Sequence, residues 1–200
     1  MNVKKSAQFD QAIAAFDEYN SNDLNQEEFN GNSFPKELIY AQRMTKKLND
    51  IKPDATEDLL LAARSQHIGR WEIPRSSYAM DRNGYLKWRG QLKVHHSKIA
   101  ERILTECGYD SEMIDKVKSL LMKKQLLPGS DSQLLEDIIC LVFIEFYLSD
   151  FAAKYEDDKV IDIIMKTMKK MSPEAIQKAT QLPVNKSVLA FLGRAANKLS

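Results

Sequence analysis

Between Leu134 and Phe151 the chain is apolar on almost every side of a helical wheel, interrupted chiefly by Glu136, Asp137, Glu145 and Asp150. A helix without a polar face has to be buried, so this segment predicts a central helix over 132–154 with other helices packed around it. The longest uninterrupted apolar run in it, IICLVFI at 138–144, is too short to cross a bilayer. Carboxylates on a buried helix are costly unless paired. Asp137 and Glu145 lie near one face, about 12 Å apart along the axis at ~1.5 Å per residue, too far to share one small ion.

The remaining patterns are helical too. Phe9, Ile13, Phe16 and Tyr19 recur at spacings of three and four, followed by the polar stretch NSNDLNQEEFNGNSFP. A second helix starts at Pro35, and a third runs over 56–66. A non-periodic connection at 67–82 leads to a long helix from Gly84 to Gly108. Helices over 111–124, 132–154, 157–170, 173–181 and 186–198 complete the chain, with Asp110 and Ser172 as N-caps. No alternating strands joined by hairpin turns are expected. The fold class is therefore all-α, a single helical domain over 1–200 with about eight or nine helices.

Composition narrows the function classes. With 29 basic and 28 acidic residues the net charge is +1, which disfavours binding of nucleic acid by bulk charge. Cys107 and Cys140 sit in apolar helical patterns and read as packed thiols. The N-terminal residues carry no long apolar core like that of a signal peptide, so a cytoplasmic protein away from membranes is expected.

The basic residues are unevenly distributed. Arg64, Arg70, Arg75, Arg82 and Arg89 are five of the 8 arginines, and Lys87 is the one lysine in the same window. A planar guanidinium grips carboxylate or phosphate through two bonds, so this concentration suggests anion contacts, or else internal ion pairs to Glu136, Asp137 and Glu145. The histidines are His67, His95 and His96. Adjacent helical residues point about 100° apart, so only one of His95 and His96 can face fully inward. His67 and His96, with Asp137 or Glu145 as the acidic member, form a candidate metal shell or acid–base group. A divalent metal held by His67, His96 and Asp137 is one expected cofactor. Trp71, Tyr78, Tyr85 and Trp88, interleaved with arginine, either stack on a base or pack the connection onto the helices.

Two short strings suggest the wrong chemistry. HIGR at 67–70 and KKMS at 169–172 resemble the signature motifs of class I aminoacyl-tRNA synthetases. There the first motif opens a helix, whose positive end meets phosphate; here it closes one, and no parallel sheet is expected to carry it. Glutamyl-tRNA synthetase activity is rejected on that ground. DRNG at 81–84 lacks the flanking acids of a calcium loop.

AARSQHIGRWEIPR, GYLKWRGQLKVHH, LLEDIICLVFIEFYLSDFA, KTMKKMS and ELIYAQRMT together resemble the family called domain of unknown function 4202, over about residues 8–182, with the helix at 186–198 appended. That resemblance implies a shared fold rather than an activity. LLLAARSQHIGRW and LLEDIICLVFIE are also similar to segments of the HD-domain phosphohydrolases, which implies an HD-like bundle and metal-assisted hydrolysis. The pattern departs at its centre: Ile68 stands where the aspartate of the His-Asp pair belongs, and Tyr40 or Arg43 stands near the place of the first histidine.

These readings converge on a pocket for a small phosphorylated or carboxylated molecule such as a nucleotide. Arg43, Arg64, Arg70, Arg75, Arg89 and Trp71 would bind it, while His67, His96, Asp137 and Glu145 would supply catalysis. The alternative is a non-catalytic interaction module whose arginines are structural. Self-association of copies stays open.

Overall fold

The computed structural model describes residues 6–123 and 127–199. The chain is all-α, and its contacts divide it into two compact units, Met1–Gln125 and Leu126–Ser200.

In the first unit α1 (Ala7–Ser21) begins where the Ser6 side chain accepts from the Phe9 amide, and it buries Phe9, Ala12 and Phe16. The polar stretch after it contains a small β-hairpin that the sequence pattern did not predict, β1 (Gln26–Phe29) paired antiparallel with β2 (Asn32–Pro35). Asn30 and Gly31 form its two-residue turn with φ of 51° and 76°, the left-handed pair that such hairpins require. The strands are short and mostly solvent-facing, so no apolar alternation marks them. α2 (Lys36–Ile51) follows directly. Its capping oxygen comes from far away in sequence: Asp23 Oδ2 accepts from the Glu37 amide at 3.1 Å.

α3 (Glu57–Arg64) stops two residues short of the expected Gln66, and turns lead to Gly69 at φ +66°. A Cβ at Gly69 would lie 2.5 Å from Ile99 Cδ1, so this position needs glycine for both its backbone and its packing. The connection that follows makes two single turns, Arg70–Glu72 and Arg75–Ser77. α4 (Arg82–Glu106) is capped by Asp81, and α5 (Ser111–Leu121) by Asp110 as expected. Residue 124, the expected end of α5, lies outside the described residues.

The second unit holds α6 (Asp131–Val142), a π turn (Phe143–Tyr147), α7 (Leu148–Ala152), α8 (Asp157–Met168), α9 (Pro173–Ala179) and α10 (Lys186–Leu199). The apolar segment is buried as its composition requires: Leu135, Ile138, Leu141, Ile144 and Leu148 are all at or below 1% exposed. It is not one regular helix, because the π turn interrupts it. No described helix is long and apolar enough to cross a membrane.

Asp137 has a local structural role. Its Oδ1 accepts from the Ser172 amide at 2.8 Å and from Gln133 Nε2 at 2.9 Å, and its Oδ2 accepts from the Ser172 hydroxyl at 2.7 Å. Ser172 in turn caps α9. The KKMS string therefore ends in a helix cap held by a buried carboxylate. Replacing Asp137 with alanine should lower stability by about 2–3 kcal/mol, because it strands the Ser172 donors; urea denaturation measures this.

Candidate functional site

α2, the turn after α3 and α4 meet around His67. The guanidinium of Arg70 can only donate, and its Nη1 lies 3.3 Å from His67 Nε2, so Nε2 is the accepting nitrogen. Nδ1 then carries the proton and faces Glu37 Oε2 at 3.3 Å. Arg70 Nε approaches the other oxygen of Glu37 at 3.6 Å. The Tyr40 ring stacks on His67, with centroids 4.1 Å apart and planes within 11°.

His96 is the inward member of its pair, at 4% exposure. Its Nδ1 lies 2.6 Å from the Ile68 carbonyl, which accepts the Nδ1 proton and leaves Nε2 as an open lone pair. His95 turns instead toward the connection, where its Nε2 lies 3.1 Å from the Gly69 carbonyl and 3.2 Å from Glu72 Oε2. The other Glu72 oxygen accepts from the Tyr19 hydroxyl at 2.6 Å. Burial and that bond push the Tyr19 phenol up to about 12. Trp88 Nε1 donates to the Ile73 carbonyl at 2.8 Å, and the Arg70 guanidinium lies 4.7 Å from the Trp88 ring. The connection is thus pinned to α4 at three places.

A small, shallow recess open to solvent lies beside this group. Gln66, His67, Arg70, Arg89, Lys93, His96 and Lys123 supply its polar lining. Neither Arg89 nor Lys93 makes an ion pair with a described residue. Burial dominates the titration of the groups here, and the neighbouring cations add to it for the two imidazoles. Burial first, then Arg70, His96 and Arg89, hold His67 well below the usual histidine range. Burial, with Arg70, His95 and Arg89 adding to it against the Ile68 bond, pushes His96 down to about 3. Burial and Arg89 also lower Arg70, with Glu37 opposing. Glu37 itself is pushed up to about 7 by burial, against the pull of Arg70.

Of the residues expected at the site, His67, His96, Arg70 and Arg89 come together. The others are engaged elsewhere. Arg64 grips both oxygens of Asp17, through Nε at 2.7 Å and through Nη2, and reaches the Thr45 hydroxyl. Arg43 pairs with Glu27 and lies over Phe29. Arg75 donates to the carbonyls of Tyr78, Ala79 and Asp81, closing the connection. Trp71 packs against Tyr19. Within the first unit Arg64, Arg43 and Arg70 meet Asp17, Glu27 and Glu37 respectively. Asp137 is held by Ser172 and Gln133, and Glu145 lies in the π turn. Among the described residues no three His, Cys, Asp or Glu side chains gather as a metal-holding set; of the expected trio, His67 and His96 belong to the first unit and Asp137 to the second.

Sequence reasoning missed Gln66, Lys93, Lys123 and Glu37. Two signals were available. Arg89, Leu92, Lys93 and His96 are spaced as one row of a helix, which places two cations beside the inward histidine. Glu37, Tyr40 and Arg43 recur every three residues on α2, an acid and an arginine on a face that is otherwise core.

Two predictions follow from these partners. Arg75→Met should lower stability by about 2 kcal/mol through three lost carbonyl contacts, seen as a lower urea midpoint. Glu37 binds a proton more tightly folded than unfolded, since its ordinary value of 4.5 rises to about 7. Its contribution to stability is complete below pH 4.5 and is lost as pH rises through 7. Between those limits the wild type should lose about 3 kcal/mol that Glu37→Gln does not lose, read from paired denaturation curves across the pH range.

A family described as Domain of unknown function (DUF4202) has a sequence profile that matches residues 10–192, extending past residue 182 into α10. No curated protein and no solved structure matches the chain.

Proposed function

Since the chain belongs to the DUF4202 family, which is defined by sequence rather than by an activity, we propose its function from the recess: it binds a small anion through a phosphate or carboxylate group. The observation that carries this is the unspent charge of Arg89 and Lys93, held beside Arg70 on the wall of one concavity. Cations gathered without acids repel one another, and an anion between them removes that repulsion. A nucleotide would set a phosphate against these cations at the mouth of the recess and leave its base outside.

Binding is proposed here rather than turnover. His67 Nε2 is already engaged by Arg70, and a divalent metal would enter against the charges of Arg89 and Lys93. The helical scaffold, with His67 just past the end of α3, supports an HD-type ancestry in which a metal site has given way to an anion site. The interaction-module alternative draws support from Arg43, Arg64 and Arg75, whose partners are internal.

Arg89→Gln separates the two. It should weaken binding of inorganic phosphate about tenfold, by calorimetric titration, and leave the melting temperature unchanged. Raising the salt should weaken wild-type binding in the same direction. Equal phosphate binding by wild type and variant, or none by either, would sink the anion site.

A further inference from the structure

The lining of the recess is not made of donors alone. The Ile68 carbonyl takes the Nδ1 proton of His96 at 2.6 Å, so the ring is locked with Nε2 as an acceptor. Nε2 has no partner among the described residues, and the ring is 4% exposed on the wall of the recess. Gln66, also on the wall and 5% exposed, keeps its amide oxygen buried without a donor. Arg70, Arg89 and Lys93 offer only donors. An anion whose surface is all acceptor would satisfy the cations but set its lone pairs against Nε2. A ligand that also brings a proton would satisfy both.

We propose that the recess selects anions that carry an O–H or N–H donor on or beside the charged group, with His96 Nε2 accepting from that donor and the cationic side chains holding the charge. The ligand class is hydrogen phosphate, or a phosphate or carboxylate with an adjacent hydroxyl. This rests on the anion site proposed above and adds His96 as its specificity-determining residue. A site built to pair a ligand proton discriminates strongly against an analogue lacking it, because the acceptor is then left unpaired.

Phosphate and sulfate test it directly. At about pH 8 both are tetrahedral dianions of similar size, but phosphate keeps one O–H and sulfate has none. Calorimetric titration of the full chain should show phosphate binding at least about tenfold tighter than sulfate. His96→Asn keeps a donor for the Ile68 carbonyl and deletes the Nε2 acceptor, so it should reduce phosphate affinity to the level of sulfate and leave sulfate unchanged. Nitrogen NMR of the wild type gives a readout independent of any variant: the His96 Nε2 resonance should shift on adding phosphate and not on adding sulfate. Equal affinity for the two ions, or a preference that survives His96→Asn in a folded variant, overturns the selectivity while leaving the anion site standing. Binding of neither ion overturns both.

Discussion

The carboxylate of Glu37 stands against Arg70 and His67 where α2, the turn after α3 and α4 converge, and the arrangement around the recess depends on it. A buried carboxylate is expensive unless a cation meets it, and Arg70 does so only in part, since burial still raises the Glu37 carboxyl to about 7. That contact fixes the guanidinium so that it also touches His67 and lies on Trp88. The His67 tautomer follows, because its ring is bonded on one side to a group that can only donate. The first turn of the connection, Arg70–Glu72, is thereby tied to α2 and to α4 at once.

Charge balance then gives the recess its character. Glu37 offsets Arg70, whereas Arg89 and Lys93 reach the wall with no acid beside them among the described residues. Burial first, and the neighbouring cations after it, keep the His67 and His96 imidazoles neutral, so they contribute lone pairs instead of further charge. A cluster built this way favours an anion and opposes a metal ion of the same sign as its lining. The metal expectation rested on histidines and carboxylates sharing a core. Asp137 instead has both oxygens engaged by Ser172 and Gln133 within the second unit.

Much of this was legible in the residues. The helix rows, the caps at Asp110 and Ser172, and the breaks at Gly69 and Gly108 follow from local chemistry that acts within a few positions. That only one of His95 and His96 could face inward was legible too, while packing decided for His96. The hairpin escaped because its strands face water and leave no apolar alternation, although Asn30-Gly31 marked its turn. The end of α3 and the π turn after α6 also escaped, since neither interruption changes the run of apolar residues around it.

The sequence by itself determined that arginine would be concentrated in one segment and that His67 would stand at its head. It could not determine which arginines were free. Arg64 is neutralised by Asp17, and Arg70 is met by Glu37, each partner lying on another helix. Arg75 is held by carbonyls only three to six residues on, yet only because the connection folds back on itself. Whether a guanidinium is spent or available depends on which acceptor lies within a few ångströms, and only the packing of the helices decides that distance.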